Sequence, residues 1–323
     1  MRVTDETTAS DDQPVSNNMI LFSFPGYESI ARELRETVPV QVMRFAVDRY
    51  ANKELHAKIE GTVSRAHCLI LGTIAPPDES LLSILLLGET LQKEGADKIT
   101  AVLPYLAYSR QDKDKPGESL GTAWVGALLK SSGIDQLLTV DVHSERGKQL
   151  FPIPLISLPT DGLFAEVIKK HGLVDATMVA PDNGAIVRCQ AVMNAAGMSG
   201  AEIPYFEKRR TERGIVHSGP IGRVGAKVVI VDDMIDTGET LVSACEKLAA
   251  AGMRGIYILV THGLFTGTAW MKLWSLGAKH IFCTDSVPLR SGIEGSNITS
   301  VSVAPLIAKG LLEETRRIAA GAK

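Results

Sequence analysis

Asp232 and Asp233 stand side by side, and Asp236, Thr237, Gly238, Glu239 and Thr240 follow almost at once. Adjacent carboxylates can accept charge-assisted hydrogen bonds from vicinal sugar hydroxyls. The Thr-Gly-x-Thr turn can offer backbone N–H groups to phosphate, aided by the dipole of a following helix. Diol acceptors beside phosphate donors predict a place for a 5-phosphoribosyl group. The same residues also read, more plainly, as a helix N-cap at Thr237 with solvated acids. The elements around them favour the first reading. Val228, Val229, Ile230 and Val231 form an apolar run suited to a strand buried on both faces, the acids sit where it ends, and an amphipathic helix begins at Leu241.

Other segments carry candidate chemistry. Arg110, Gln111 and Asp112 lie in a stretch of charges, Pro and Gly from Tyr105 to Glu118, beyond a strand expected at Ile99–Pro104. Loops at that end of a parallel sheet face the ligand crevice, although such a composition also suits a solvated surface loop. Asp141 and His143 follow the strand Leu137–Val140; in extended chain both point to one side and could share a metal or phosphate. A lone histidine is more often simply hydrogen-bonded. Pro181-Asp182-Asn183-Gly184 is a turn between a strand and a helix. The charged run Glu207 to Gly214, with Lys208 and Arg210, reads as a loop between extended pieces or as a solvated face.

The chain of 323 residues suits about two domains with substantial cores. Strand and helix patterns alternate along it, which predicts parallel βαβ units. Helices are expected at Tyr27–Thr37, at Asp78–Glu94 and Thr160–His171 (each capped by its first residue), and at Pro305–Ile318. The three prolines between Phe151 and Pro159 mark a boundary, giving a disordered tail over residues 1–18, an N-terminal domain over 19–158 and a C-terminal domain over 159–323. A net charge of -3 leaves no basic surplus for a nucleic-acid face. The apolar run Leu81–Leu87 is too short to cross a bilayer, and the first residues lack the apolar core of a secretory signal. Cys68, Cys189, Cys245 and Cys283 are scattered without a Cys-x-x-Cys pair, which predicts reduced, buried thiols in a cytoplasmic protein.

Taken in order, these segments resemble the ribose-phosphate pyrophosphokinase family. Val231–Thr240 resembles the phosphoribosyl-pyrophosphate motif of the type I phosphoribosyltransferase fold, and Tyr105–Asp112 the family's ATP-side loop. Thr139–Ser144 resembles its Thr-Val-Asp-Leu-His-Ala, Pro181–Gly184 its Pro-Asp-x-Gly, Lys208–Arg210 its catalytic Lys-Arg-Arg, and Thr261–Gly267 its Thr-His-x-x-Phe-x-Gly. Arg49–Glu54 matches an adenine-side Arg-Phe-x-Asp/Asn-x-Glu with Tyr50 in place of Phe. The similarity runs from Met19 to the final helix.

The resemblance implies an α/β fold of two similar type I phosphoribosyltransferase-like domains, each a mainly parallel sheet flanked by helices, with the final helix packing back on the first. It implies transfer of the β,γ-diphosphoryl group of ATP to the 1-hydroxyl of ribose 5-phosphate, with Mg²⁺ as cofactor. Tyr50, Asn52, Glu54, Arg110, Gln111, Asp112 and His143 would serve ATP, and His143 and Asp182 the metal. Lys208, Arg210 and Arg110 would stabilise charge in transfer. Asp232 and Asp233 would take the sugar hydroxyls, and Asp236, Thr237, Gly238, Glu239 and Thr240 the 5-phosphate end. The adenine pocket would be shared across a subunit boundary in a homo-oligomer, dimer-based and extending to a tetramer or hexamer. The rival readings are a phosphoribosyltransferase, which needs only one such domain, and a non-catalytic regulatory subunit of the same family.

Overall fold

The computed structural model describes residues 18–198, 202–211, 214–290, 292–293, 295 and 297–320. Most of the tail expected over residues 1–18 lies outside them. The first half runs β1 (Met19–Ser23), α1 (Glu28–Thr37), β2 (Val40–Val42), β3 (Phe45–Arg49), β4 (Leu55–Ile59), β5 (His67–Leu71) and α2 (Glu79–Lys93). It continues with β6 (Lys98–Val102), α3 (Gly121–Ser131), β7 (Gln136–Val140), α4 (Glu145–Gln149) and β8 (Leu155–Leu158). Six of these strands form one parallel sheet in the order β2-β1-β5-β6-β7-β8, while β3 and β4 form a separate antiparallel hairpin.

The second half opens with α5 (Asp161–Lys170), β9 (Thr177–Val179), α6 (Ile186–Ala196), β10 (Lys208–Thr211) and β11 (Gly214–His217). Then come β12 (Lys227–Ile235), α7 (Glu239–Ala250), β13 (Gly255–Gly263), α8 (Lys272–Ser275), β14 (Ala278–Thr284), β15 (Ile298–Val301) and α9 (Ala304–Ala319). A second parallel sheet has the order β15-β14-β13-β12-β9.

Period-2 alternation explains why each sheet needs helices on both faces. Ile20, Phe22, Cys68 and Ile70 point into a core with α2 and α3, while Met19, Leu21, Leu69 and Leu71 point into another. That second core is closed by Ile30, Ala31 and Leu34 of α1 and by Ala304, Ile307, Ala308 and Leu311 of α9. The last helix of the chain therefore covers the first sheet. The second sheet is covered by α5 and α6 on one face and by α7 and α8 on the other.

The structure departs from the sequence expectations at several elements. Phe151–Pro159 contains β8, because its prolines flank rather than interrupt Leu155–Leu158, which pairs with β7 at the sheet edge. The run Lys208–Thr211 and Gly214–His217 is an antiparallel two-stranded ribbon, not a loop. Asp78 and Thr160 precede helices but cap neither with a side-chain bond; Asp78 accepts from the Tyr108 hydroxyl, and Thr160 turns to Asp141. Finally, β12 continues through both acids to Ile235, and α7 begins at Glu239, two residues earlier than the apolar pattern indicated.

Glu314 fastens α9 to the first sheet. It is only 8% exposed and accepts from Lys98 Nζ at 3.2 Å and from Arg317 Nε and Nη2 at 3.0 and 2.9 Å. The Arg317 fork, together with Lys98, outweighs burial and holds the carboxyl down at about 2. A folded value below the ordinary one of 4.5 stabilises the fold fully above that pH and loses the effect as pH falls toward 2. Glu314→Gln should therefore destabilise the protein by about 1–3 kcal/mol at pH 7. Denaturant titrations should find that gap narrowed at pH 3; a gap independent of pH would contradict the ionic role.

Candidate active site between the two sheets

The carboxyl ends of the central strands of both sheets open on a shared cleft of about 1130 Å³. From the first half it is lined by Arg110, Gln111, Asp112, Lys113, His143 and Ser144; from the second by Asp182, Arg188, Asp232, Asp233, Met234 and Thr240. Loops at this end of α/β sheets are where ligands bind.

β12 supplies the acids. Val228–Val231 are fully buried, and the strand carries its alternation into Asp232 and Asp233. Asp233, 8% exposed, receives a hydrogen bond from His143 Nδ1 at 2.5 Å, which ties the two halves together across the cleft. Asp232 Oδ1 accepts from the Asp233 backbone N–H at 2.9 Å. The neighbours titrate apart. Burial, then the charge of Asp233, pushes the Asp232 carboxyl well above the usual carboxylate range. Burial also opposes charge on Asp233, but the His143 hydrogen bond and the nearby Arg188 prevail and hold its carboxyl below that range. Two adjacent acids of the same type are thus pushed in opposite directions, Asp232 upward and Asp233 downward.

After β12 the chain turns through Asp236 and Thr237 into α7. Gly238 stands at φ +83°, and a Cβ there would meet Trp270 Cβ at 2.6 Å, so both the left-handed backbone and the close approach require glycine. No side chain caps α7 at Gly238, which leaves the first-turn N–H groups to an anion. Glu239 is exposed. Asp236 reaches back across the cleft to Arg110, Oδ2 to Nη1 at 2.9 Å.

The remaining residues singled out in the sequence fall into groups. Arg110, Gln111, Asp112, His143, Asp182, Asp232, Asp233 and Thr240 all line the cleft. Asp112 is buried, with its carboxylate accepting from the Ser144 hydroxyl and its carbonyl from Arg146 Nε. Tyr50, Asn52 and Glu54 are not cleft residues of their own chain. They sit on the β3–β4 hairpin, with Tyr50 57% exposed and stacked on His56, and Asn52 Nδ2 donating to Glu54 at 2.8 Å. Lys208 and Arg210 lie on β10; their side chains fall outside the described residues. Asp141 and His143 do not converge. Asp141 has φ +42° rather than an extended backbone, so its carboxylate turns to Thr160 and Thr261 while His143 turns to Asp233.

Sequence reasoning missed Arg188 and Met234. Arg188 is a cation on the first turns of α6, just past the acidic Pro181–Gly184 turn, a placement that could have been noticed. Met234, still paired within β12, belongs to the apolar core of the first half, a placement that no local pattern signals.

A magnesium ion takes oxygen donors in near-octahedral geometry and gives up its waters reluctantly. Among the described residues no group of three or more His, Cys, Asp or Glu could hold a metal alone. The cleft does gather Asp182, Asp232, Asp233 and His143, with His143 already oriented through Nδ1 by a carboxylate. Such a set fits a hard cation that arrives with substrate phosphates and keeps several waters, with few protein ligands.

Comparison with known proteins agrees with this architecture. A family model described as the N-terminal domain of ribose phosphate pyrophosphokinase matches residues 19–133, and one described as the phosphoribosyl synthetase-associated domain matches residues 192–322. The ribose-phosphate pyrophosphokinase of Corynebacterium efficiens is 31% identical over 304 residues, covering 92% of this chain and 92% of that protein. The chain belongs to the ribose-phosphate pyrophosphokinase family. The family's protein from Haemophilus ducreyi is 32% identical over 306 residues, covering 92% of this chain and 95% of its own length. The crystal structure of phosphoribosylpyrophosphate synthetase from Mycobacterium smegmatis superposes with a TM-score of 0.82 at 26% identity, covering 93% of this chain and 99% of that one. The two-domain α/β fold, with mainly parallel sheets flanked by helices, is therefore the family's. No helix among the described residues is long and apolar enough to cross a membrane.

Proposed function

We propose that this chain is a ribose-phosphate pyrophosphokinase, transferring the β,γ-diphosphoryl group of ATP to the 1-hydroxyl of ribose 5-phosphate to give phosphoribosyl pyrophosphate and AMP. The observation that carries the reading is the single cleft in which Arg110 and His143 of the first half face Asp232, Asp233 and Thr240 of the second, joined at His143–Asp233. A phosphoribosyltransferase needs one such half. Here both walls belong to one chamber.

In this reading the α7 N-terminus, with Thr237, Gly238 and Thr240, holds the 5-phosphate, and the Asp232–Asp233 pair orients the sugar hydroxyls. Arg110, Gln111 and Asp112 lie on the ATP side. Transfer of a phosphoryl group depends mostly on alignment and on neutralising spread charge, the work assigned to Lys208, Arg210 and Arg110. Arg110 engages Asp236 through Nη1 alone, which leaves its other N–H groups for a phosphate. Mg²⁺, held by His143 and Asp182 with substrate oxygens, would neutralise phosphate charge as a Lewis acid. The exposed hairpin bearing Tyr50, Asn52 and Glu54 suits an adenine pocket completed in a neighbouring subunit, hence a homo-oligomer of at least two chains. Four buried free thiols suit a reducing compartment, the cytoplasm.

Purified protein given ATP, Mg²⁺ and ribose 5-phosphate should release AMP without any nucleobase. No AMP from this mixture, but pyrophosphate release once phosphoribosyl pyrophosphate and a nucleobase are supplied, would indicate a phosphoribosyltransferase; no turnover of either mixture by folded protein would indicate a regulatory subunit. Sedimentation of the same sample should show a dimer or larger; a fully active monomer would refute the shared pocket.

A further inference from the structure

We propose that Asp141 is a positioning residue: it fastens the end of β7 to the second half of the chain and so sets His143 against Asp233, instead of ligating metal with His143. This rests on the reading of the cleft as a diphosphokinase site.

The geometry is specific. Both carboxylate oxygens are occupied. Oδ1 accepts from the Thr160 backbone N–H at 3.3 Å, and Oδ2 accepts from the hydroxyls of Thr160 and Thr261, each at 2.5 Å. Thr160 directly precedes α5, and Thr261 lies on β13, the strand paired beside the acids of β12. The main chain of Asp141 is held as well: its N–H donates to Leu158 O at 3.0 Å, and its carbonyl lies 3.4 Å from His262 Nε2. His262 is 2% exposed, and burial lowers its pKa from the ordinary value. With Nε2–H aimed at Asp141 O, Nδ1 is left to accept from the Ser286 hydroxyl at 2.9 Å.

The backbone explains why the anchor matters. Asp141 adopts φ +42°, a left-handed conformation uncommon outside glycine but better tolerated by Asp and Asn. This twist ends β7 and lets His143, two residues on, face the cleft instead of continuing along the sheet. Without the three bonds to its carboxylate, an L-residue there would tend to relax toward negative φ and carry His143 away from Asp233. The anchor spans the two halves, as does the His143–Asp233 bond it supports.

The test compares wild type with Asp141→Asn, Thr261→Val, Thr261→Ser and the Asp141→Asn/Thr261→Val double variant. Asn keeps the shape and the tolerance of positive φ while removing the charge. Asp141→Asn and Thr261→Val should each lower kcat by roughly tenfold, with KM for both substrates and the Mg²⁺ concentration for half-activation nearly unchanged. Thr261→Ser, which retains the hydroxyl, should keep most of the activity. The double variant should be no worse than the poorer single, in kcat and in thermal unfolding, because the Thr261 bond is one of those that Asp141→Asn already weakens. Mn²⁺ binding in the presence of ATP, read by electron paramagnetic resonance, should match wild type. A raised metal requirement, or weakened Mn²⁺ binding, would make Asp141 a ligand and overturn the proposal. Wild-type kcat in Asp141→Asn, or additive losses in the double variant, would also overturn it. If Asp141→Asn does not fold, the Thr261 pair decides, since equal activities of Val and Ser would refute the anchor. If wild type releases no AMP, the diphosphokinase reading fails, while the unfolding cycle still judges the anchor.

Discussion

Lys208→Ala should lower kcat by about 10²–10³-fold and leave the affinity for ATP nearly unchanged. A charge that meets its partner mainly as the diphosphoryl group transfers lowers the barrier without tightening the ground state. Lys208 opens β10, the first strand of a two-stranded ribbon whose only mates among the described residues are in β11. The ribbon lies outside both main sheets, with β11 against α7, the helix that follows the paired acids. Steady-state rates combined with equilibrium ATP binding decide the matter. Parallel losses of turnover and ATP affinity would reassign Lys208 to binding.

Asp233→Asn and Asp232→Asn should behave differently, although the sequence presents the two acids as a matched pair. Asp233 is ionised, buried and bonded to His143, so its loss weakens the tie between the halves as well as the sugar contact. We expect it to reduce kcat by roughly 10- to 100-fold and to raise the requirement for both substrates. Burial and the charge of Asp233 push the Asp232 carboxyl upward, toward the neutral form that Asn resembles in shape and charge. Its replacement should cost less than about tenfold and fall on ribose 5-phosphate alone. Initial rates with each substrate varied in turn provide the measurement. Equal penalties on ribose 5-phosphate, with ATP untouched in both variants, would restore the simple picture of two equivalent diol acceptors.

Much of this was readable from local pattern. The unbroken apolar runs Met19–Phe22, Cys68–Leu71 and Val228–Val231 belong to strands buried on both faces, which composition alone reports. The acids, the Thr-Gly-x-Thr turn and the Arg110 segment were legible because cleft loops follow strand ends. What escaped depends on contacts between distant segments. The separate fates of Asp141 and His143 turn on one left-handed residue and on Thr261, far along the chain. The splitting of Asp232 from Asp233 depends on His143 and Arg188, neither a sequence neighbour. The strand Leu155–Leu158 was hidden because its flanking prolines look like a linker until an edge position in the sheet excuses them from donating hydrogen bonds.

The helix that closes the first sheet has a consequence for synthesis. Glu314 of α9 lies 216 residues beyond its partner Lys98, and α9 shields Met19, Leu21, Leu69 and Leu71. On a ribosome adding about 5–20 residues per second, that face waits on the order of 10–40 s for its cover. The first sheet must meanwhile emerge with one apolar side only partly covered, by α1. Nascent chains should therefore recruit holding chaperones over that interval, and the N-terminal half expressed alone should aggregate unless a peptide spanning α9 is supplied in trans.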